Sequence, residues 1–241
     1  IPNSVDRKTA PILFVFPGMN RNGLDYLNTW IPISESKGIM VFSFEFSDYY
    51  YPGGNAYQQG YVLDDNGNLN NEDLWSFSVI EPIFDFIKNE FDYQNNSYDM
   101  FGHSGGAQFV HRYVTFKSNA RINRAVSANS GWYTVPDTTV TFPYGLELTG
   151  LTINKVQSAF NQQLQIHLGQ NDNNPDDPSL RDTPEANLQG VHRLDRGRYF
   201  IAKCDTLSNQ YSSSFNWVKK EVPNIGHERE GMSNFAANEL Y

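Results

Sequence analysis

Residues Gly102-His103-Ser104-Gly105-Gly106 constrain this chain more than any other stretch. They follow Ser97-Tyr98-Asp99-Met100-Phe101, which reads as a short buried strand. They precede Ala107–Val114, which reads as a helix. Glycines two before and two after a serine let a strand and a helix close tightly around a sharp turn, leaving the serine hydroxyl projecting above the sheet. The serine also lies at a helix N-terminus, whose unpaired N–H groups favour negative charge. Five residues of this kind recur by chance in loops. The strand and helix on either side, and the partners that follow downstream, argue against chance here.

A chain of 241 residues with 39% hydrophobic and 15% aromatic content is long and apolar enough to bury a sizeable core. One α/β domain over residues 1–241 is expected. The net charge of −9 argues against a nucleic-acid groove and against an anionic membrane surface. The single cysteine, Cys204, excludes an intramolecular disulfide and reads as a small core residue in a helix. No apolar run approaches the ~20 residues that cross a bilayer. The chain opens at Ile1 and ends in a helical pattern at Leu240-Tyr241, so a mature or trimmed fragment is expected. Abundant Asn, Tyr and Ser with few Lys suggest a secreted or periplasmic protein, and Asn95-Asn96-Ser97 matches a glycosylation sequon.

Taken in order, Pro11–Phe16 is a continuous apolar run ended by Pro17-Gly18, the pattern of a buried central strand. A helix begins near Leu24. Ile39–Phe46 is the next strand, and the spacing fits a strand–helix–strand crossover and a parallel sheet. Residues 47–73 lose periodicity and are rich in Tyr, Gly, Asn and Asp, so they read as a long cleft loop at the ligand-binding edge of the sheet. Tyr49, Tyr50 and Tyr51 are expected on its walls. Asp64–Asn68 lacks the glycine and glutamate of a calcium loop and reads as an Asn-Gly turn. Leu74–Phe91 has helical periodicity, with Pro82 marking a kink or a late first turn.

Ile122–Asn129 reads as a strand that delivers Trp132 to the cleft edge, and 134–150 as an irregular, partial lid. Gln163–Gly169 is a further strand. Its Gly169-Gln170-Asn171-Asp172 turn places Asp172 where an acid could orient a histidine. The same loop, Asp172–Asp177, lacks the residues a calcium loop needs. Glu185–Leu207 reads mostly as a helix with His192 on its surface, and His111 reads as structural. Ser214–Val222 is the last strand, and the loop behind it carries His227.

Ser104, Asp172 and His227 thus occur in the chain order Ser…Asp…His, each after a strand. With Pro17-Gly18-Met19, Gly102–Gly106, Gly169–Asp172 and Gly226-His227, the chain from about Pro11 to about Asn238 resembles the α/β-hydrolase superfamily. Among its serine esterases it is similar to secreted polyester depolymerases and feruloyl-esterase-like enzymes. It departs in two ways. The oxyanion loop begins Pro-Gly where many relatives have His-Gly, and the usual first strands are absent or lie before Ile1.

The resemblance implies a mostly parallel sheet flanked by helices. It also implies a serine hydrolase acting on carboxylic esters through an acyl-enzyme. Ser104 would be the nucleophile, His227 the base and Asp172 its orienting acid, with the N–H groups of Met19 and Gly105 as the oxyanion hole. Trp132 and Tyr50 would contact a small or polymeric ester substrate. No cofactor or metal is called for, and a monomer is expected. Two alternatives stand beside this: an amidase or peptidase using the same residues, and a non-catalytic binding protein on a hydrolase scaffold.

Overall fold

The computed structural model describes residues 1–241. Its frame is a six-stranded, all-parallel sheet: β1 (Ile12–Phe16), β2 (Met40–Ser43), β3 (Tyr98–His103), β4 (Ile122–Ala128), β5 (Leu164–Gly169) and β6 (Trp217–Val222), in the order β2-β1-β3-β4-β5-β6. The helices are α1 (Gly23–Lys37), α2 (Gly53–Ala56), α3 (Ile80–Phe91), α4 (Gly105–Phe116), α5 (Ile153–Phe160), α6 (Pro184–Asn187), α7 (Arg193–Gln210) and α8 (Arg229–Leu240).

Side chains on a strand alternate between the two faces of a sheet, and β1 shows what that requires of a doubly covered one. Leu13 and Val15 point into a core shared with Tyr26 and Trp30 of α1 and Met232 and Ala236 of α8. Phe14 and Phe16 point the other way, into a larger core that contains Phe84 of α3, Phe109 and Tyr113 of α4, and Phe200 and Cys204 of α7. Every residue of β1 and β3 is buried. Phe109 holds the start of α4 in place, with ring centroids 4.6 Å from Phe16, 4.9 Å from Phe77 and 5.1 Å from Phe46. A buried aromatic of this kind contributes roughly 1.5–3 kcal/mol by removal from water.

The parallel register brings the strand ends to one edge. Phe16 pairs with Gly102, His103 with Ala128, and Gly169 with Val222. The loops that begin at Pro17, Ser104, Asn129, Gln170 and Pro223 therefore open on the same side, where ligands bind in open α/β sheets.

Several local expectations change in three dimensions. The 74–91 helix is shorter: two 3₁₀ turns (Glu72–Leu74 and Ser76–Val79) precede α3, so Pro82 falls in the first turn of α3, where its missing N–H costs nothing. The 185–207 helix is broken. Gly190, at φ 148°, ends the segment after α6, and α7 restarts with His192 as its N-cap, its ring accepting from Asp195 N–H at 3.3 Å. His192 is therefore a half-buried cap and not a free surface side chain. His111 is fully buried, bonded to Ala107 O and Thr134 N–H. No helix is long and apolar enough to cross a membrane.

Candidate active site

Ser104 sits between β3 and α4 at φ 56°, ψ −114°, a conformation L-residues rarely adopt. The flanking glycines are required by contact. A Cβ on Gly102 would lie 2.1 Å from Gly106 O, and one on Gly106 would lie 2.0 Å from Phe16 O. Ser104 N–H donates to Ala128 O at 2.9 Å, tying the turn to β4.

Three loops then converge. Ser104 Oγ lies 3.0 Å from His227 Nε2, and His227 Nδ1 lies 2.7 Å from Asp172 Oδ2. Asp172 is buried, and its second oxygen accepts from Arg193 Nη1 at 3.2 Å. A hydroxyl, an imidazole and a buried carboxylate thus form one hydrogen-bonded chain. With Nδ1–H donated to the carboxylate, Nε2 is left as the acceptor for the hydroxyl proton.

The geometry depends on residues with no motif around them. Asn129, at φ 50°, accepts from Gly169 N–H at 2.7 Å and donates to Gly226 O at 2.6 Å. One side chain joins the loop of Asp172 to the loop of His227. Asn171 N–H adds a direct bond to Ile225 O at 2.8 Å. Beneath His227 lies His103, with ring centroids 5.0 Å apart and its Nδ1 bonded to Tyr26 OH at 2.8 Å. Burial first, then the charges around His227, Arg193 and Arg229, hold the His103 pKa well below the usual imidazole range, so this ring stays neutral. Burial also pushes the Tyr26 phenol up to about 12.

Beside Ser104, the backbone N–H groups of Met19 and Gly105 donate to nothing in the protein. A Cβ on Gly105 would come within 2.9 Å of Met19 N and 2.7 Å of Gln58 Nε2, so these three donors surround one small volume. The loop carrying Met19 is held from below by Tyr57 OH, which donates to Pro17 O at 2.7 Å. Arg21 fastens it to the 47–73 loop through Phe46 O at 3.0 Å and Gly53 O at 2.5 Å.

The cleft around Ser104 has a volume of about 480 Å³. Trp132 lines it, nearly buried, with the Arg112 guanidinium 4.3 Å and the Arg181 guanidinium 4.9 Å from its ring centroid. Gln58, Gln108, Arg181, Arg193 and Arg229 also line it, and periodicity offered no signal for any of them. Tyr50 does not: it stands 76% exposed, packed on Tyr49 at 4.8 Å, because the chain turns outward at Ser47–Tyr51 before returning to bury Tyr57 and Gln58. None of residues 134–150 lines this cleft. Several of them, Phe142 and Tyr144 among them, border a neighbouring groove. The acids of the Asp172–Asp177 loop do not converge as metal ligands would. Asp172 faces His227, while Asp177 faces Arg193 at 3.0 Å, which holds the Asp177 carboxyl well below its ordinary range.

A doubly covered parallel sheet with a serine on a strained strand–helix turn is the architecture of an α/β-hydrolase. The chain belongs to this family, with its serine esterases and polymer depolymerases. It is 38% identical to poly(aspartic acid) hydrolase-1 from Sphingomonas sp. KT-1 over 96% of this chain and 88% of that one, with a TM-score of 0.93. It is 30% identical to LpqC, the poly(3-hydroxybutyrate) depolymerase of Bordetella parapertussis, over 100% of this chain and 81% of that one, with a TM-score of 0.95. The S-formylglutathione hydrolase of Agrobacterium tumefaciens shares the fold at 13% identity and a TM-score of 0.59. No protein-family model matches the chain. No curated sequence matches it either.

Proposed function

We propose that this protein is a serine hydrolase that cleaves carboxylic esters within polymeric or oligomeric chains. The observation that carries the reading is the Ser104–His227–Asp172 chain, at 3.0 and 2.7 Å, beside unpaired N–H groups on Met19 and Gly105. Ser104 Oγ attacks the acyl carbon as His227 Nε2 takes its proton. Asp172 holds the ring in the required tautomer and stabilises its charged form. The oxyanion forms where the Met19 and Gly105 N–H groups meet. A single donor of this kind is worth roughly 10²–10³ in turnover. His227 then protonates the departing alcohol, and water activated by the same ring releases the acyl group. On this reading the protein acts outside the cytoplasm, in keeping with a composition rich in Asn, Tyr and Ser and poor in Lys.

Exposure of the protein to a fluorophosphonate, followed by intact mass, tests the reading. One adduct on the wild type and none on Ser104→Ala is expected. A folded wild type that takes no adduct overturns it.

The likeness to a poly(aspartic acid) hydrolase favours a second reading, in which the bond is an amide. β-Linked oligomers of malate and of aspartate separate the two, because they differ only in an ester oxygen or an amide nitrogen. Faster release from the malate chain supports the ester reading, and faster release from the aspartate chain the amide one.

A further inference from the structure

The chain has 27 acidic and 18 basic residues, yet no Asp or Glu lines the cleft and three arginines do. Arg193 is committed to Asp172 and Asp177. Arg181 and Arg229 are not: neither is within ion-pair distance of a carboxylate, and each is anchored the same way. Arg181 donates through Nε to Tyr144 OH at 2.7 Å and lies over the rings of Trp132 and Tyr144, at 4.9 and 5.7 Å. Arg229 donates through Nε to Thr29 Oγ1 at 2.8 Å and lies 5.1 Å from the Tyr26 ring centroid. In both, the Nη pair donates to nothing in the protein. Stacking and one Nε bond fix the plane of each guanidinium and leave its two-toothed edge free, the geometry that grips a carboxylate.

Their positions bracket the serine. Tyr26 belongs to α1, which follows β1, and Trp132 to the loop after β4. β3, which ends one residue before Ser104, lies between β1 and β4. Resting on the hydrolase reading above, we infer that the cleft takes a chain bearing carboxylate side groups on both sides of the scissile acyl bond. Arg229 receives the side group on the α1 side and Arg181 the one on the Trp132 side. A neutral polyester would leave both guanidinium edges without a partner. A polyacid also gains from the concentration of positive charge in a cleft on an otherwise acidic surface.

The probes are trimers of β-linked malate and of 3-hydroxybutyrate, both capped as terminal methyl esters. They share an ester backbone and differ only in carrying a carboxylate or a methyl at each unit. Binding is measured by calorimetry on Ser104→Ala, which cannot turn them over. The malate trimer is expected to bind about tenfold tighter or better at about 50 mM salt, with the preference shrinking at about 500 mM. Placing Arg181→Gln and Arg229→Gln in the same Ser104→Ala background should abolish the preference, with the urea midpoint reporting its fold. Equal or tighter binding of the hydroxybutyrate trimer, or a salt-insensitive preference, overturns the inference, as does a preference that survives both substitutions. Fluorophosphonate labelling of the wild type reports the serine independently, so a failure of the charge reading is distinguishable from a failure of the catalytic one.

Discussion

Arg193 donates to the oxygen of Asp172 that His227 leaves free: Nη1 lies 3.2 Å from Oδ1, while His227 Nδ1 lies 2.7 Å from Oδ2. Both side chains of the arginine–aspartate pair are almost wholly buried. The carboxylate is thus satisfied on both oxygens, and rotation about its χ2, which would turn the acceptor away from His227, is blocked. Arg193→Gln should cost roughly 3–5 kcal/mol, the range for removing one partner of a buried pair. A urea midpoint read beside the turnover of an aryl ester checks this. An unchanged midpoint would mean that the pair is not a structural clamp.

Ser104→Ala and His227→Ala should each fold as the wild type does and lose on the order of 10⁶ in turnover, and Asp172→Asn on the order of 10⁴. Circular dichroism and ester kinetics check these together. Asp177 faces Arg193 and not His227, so Asp177→Asn should retain far more activity than Asp172→Asn. The reverse order would move the acid role to Asp177.

Gly105→Ala tests the oxyanion volume. The added methyl would sit 2.9 Å from Met19 N, in the space proposed for the oxyanion. Turnover should fall by roughly 10²–10³, with a much smaller change in KM, since the lost contacts strengthen only as charge develops. A variant with unchanged kcat would show that the oxyanion is held elsewhere.

Asn129→Gly keeps the left-handed backbone permissible and removes both loop-joining hydrogen bonds. A loss of about 1–3 kcal/mol is expected, with a fall in kcat as the loops of Asp172 and His227 come apart. Stability and kinetics on the same preparation decide whether the two losses travel together.

Three buried histidines give stability a predictable pH dependence. Burial is the first cause in holding His103 and His111 well below the ordinary value of 6.5 and His167 at about 3. Below pH 6.5 the unfolded chain binds protons that the folded chain cannot. Stability therefore rises with pH through this window and falls as pH drops from 6.5 toward the folded pKa values. Each fully differential imidazole contributes about 1.4 kcal/mol per pH unit. Urea midpoints between pH 7.5 and 5.5 should decline, and His167→Gln should flatten the slope by about one proton. An unaltered slope would mean that His167 titrates equally in both states.

The frame of the protein was legible in the sequence, and Ser104, Asp172 and His227, singled out there, are side chains that the structure brings into one hydrogen-bonded chain. Short continuous apolar runs ended by turn residues, such as Ile12–Phe16 before Pro17-Gly18, fit strands covered on both faces, and the glycines two before and two after Ser104 are demanded by contacts as close as the 2.0 Å that a Cβ on Gly106 would suffer. Those are local constraints, so a local pattern reports them. Pro82 already allowed for a late first turn, which is where α3 begins, but the break at Gly190–His192 was not legible, because capping there overrides a continuous apolar periodicity. Tyr50 was misplaced because composition says that a loop is aromatic and not which way it turns. Asn129, Gln58, Arg181, Arg193 and Arg229 belong to no motif. Partners such as Asp172 for Arg193, 21 residues away, and Thr29 for Arg229, 200 away, are distant along the chain, and the parallel register that brings five loops to one edge makes them neighbours. The sequence determined which groups were available for chemistry. The tertiary structure decided which of them meet, because hydrogen bonds and charges act over a few ångströms of space and not along the chain.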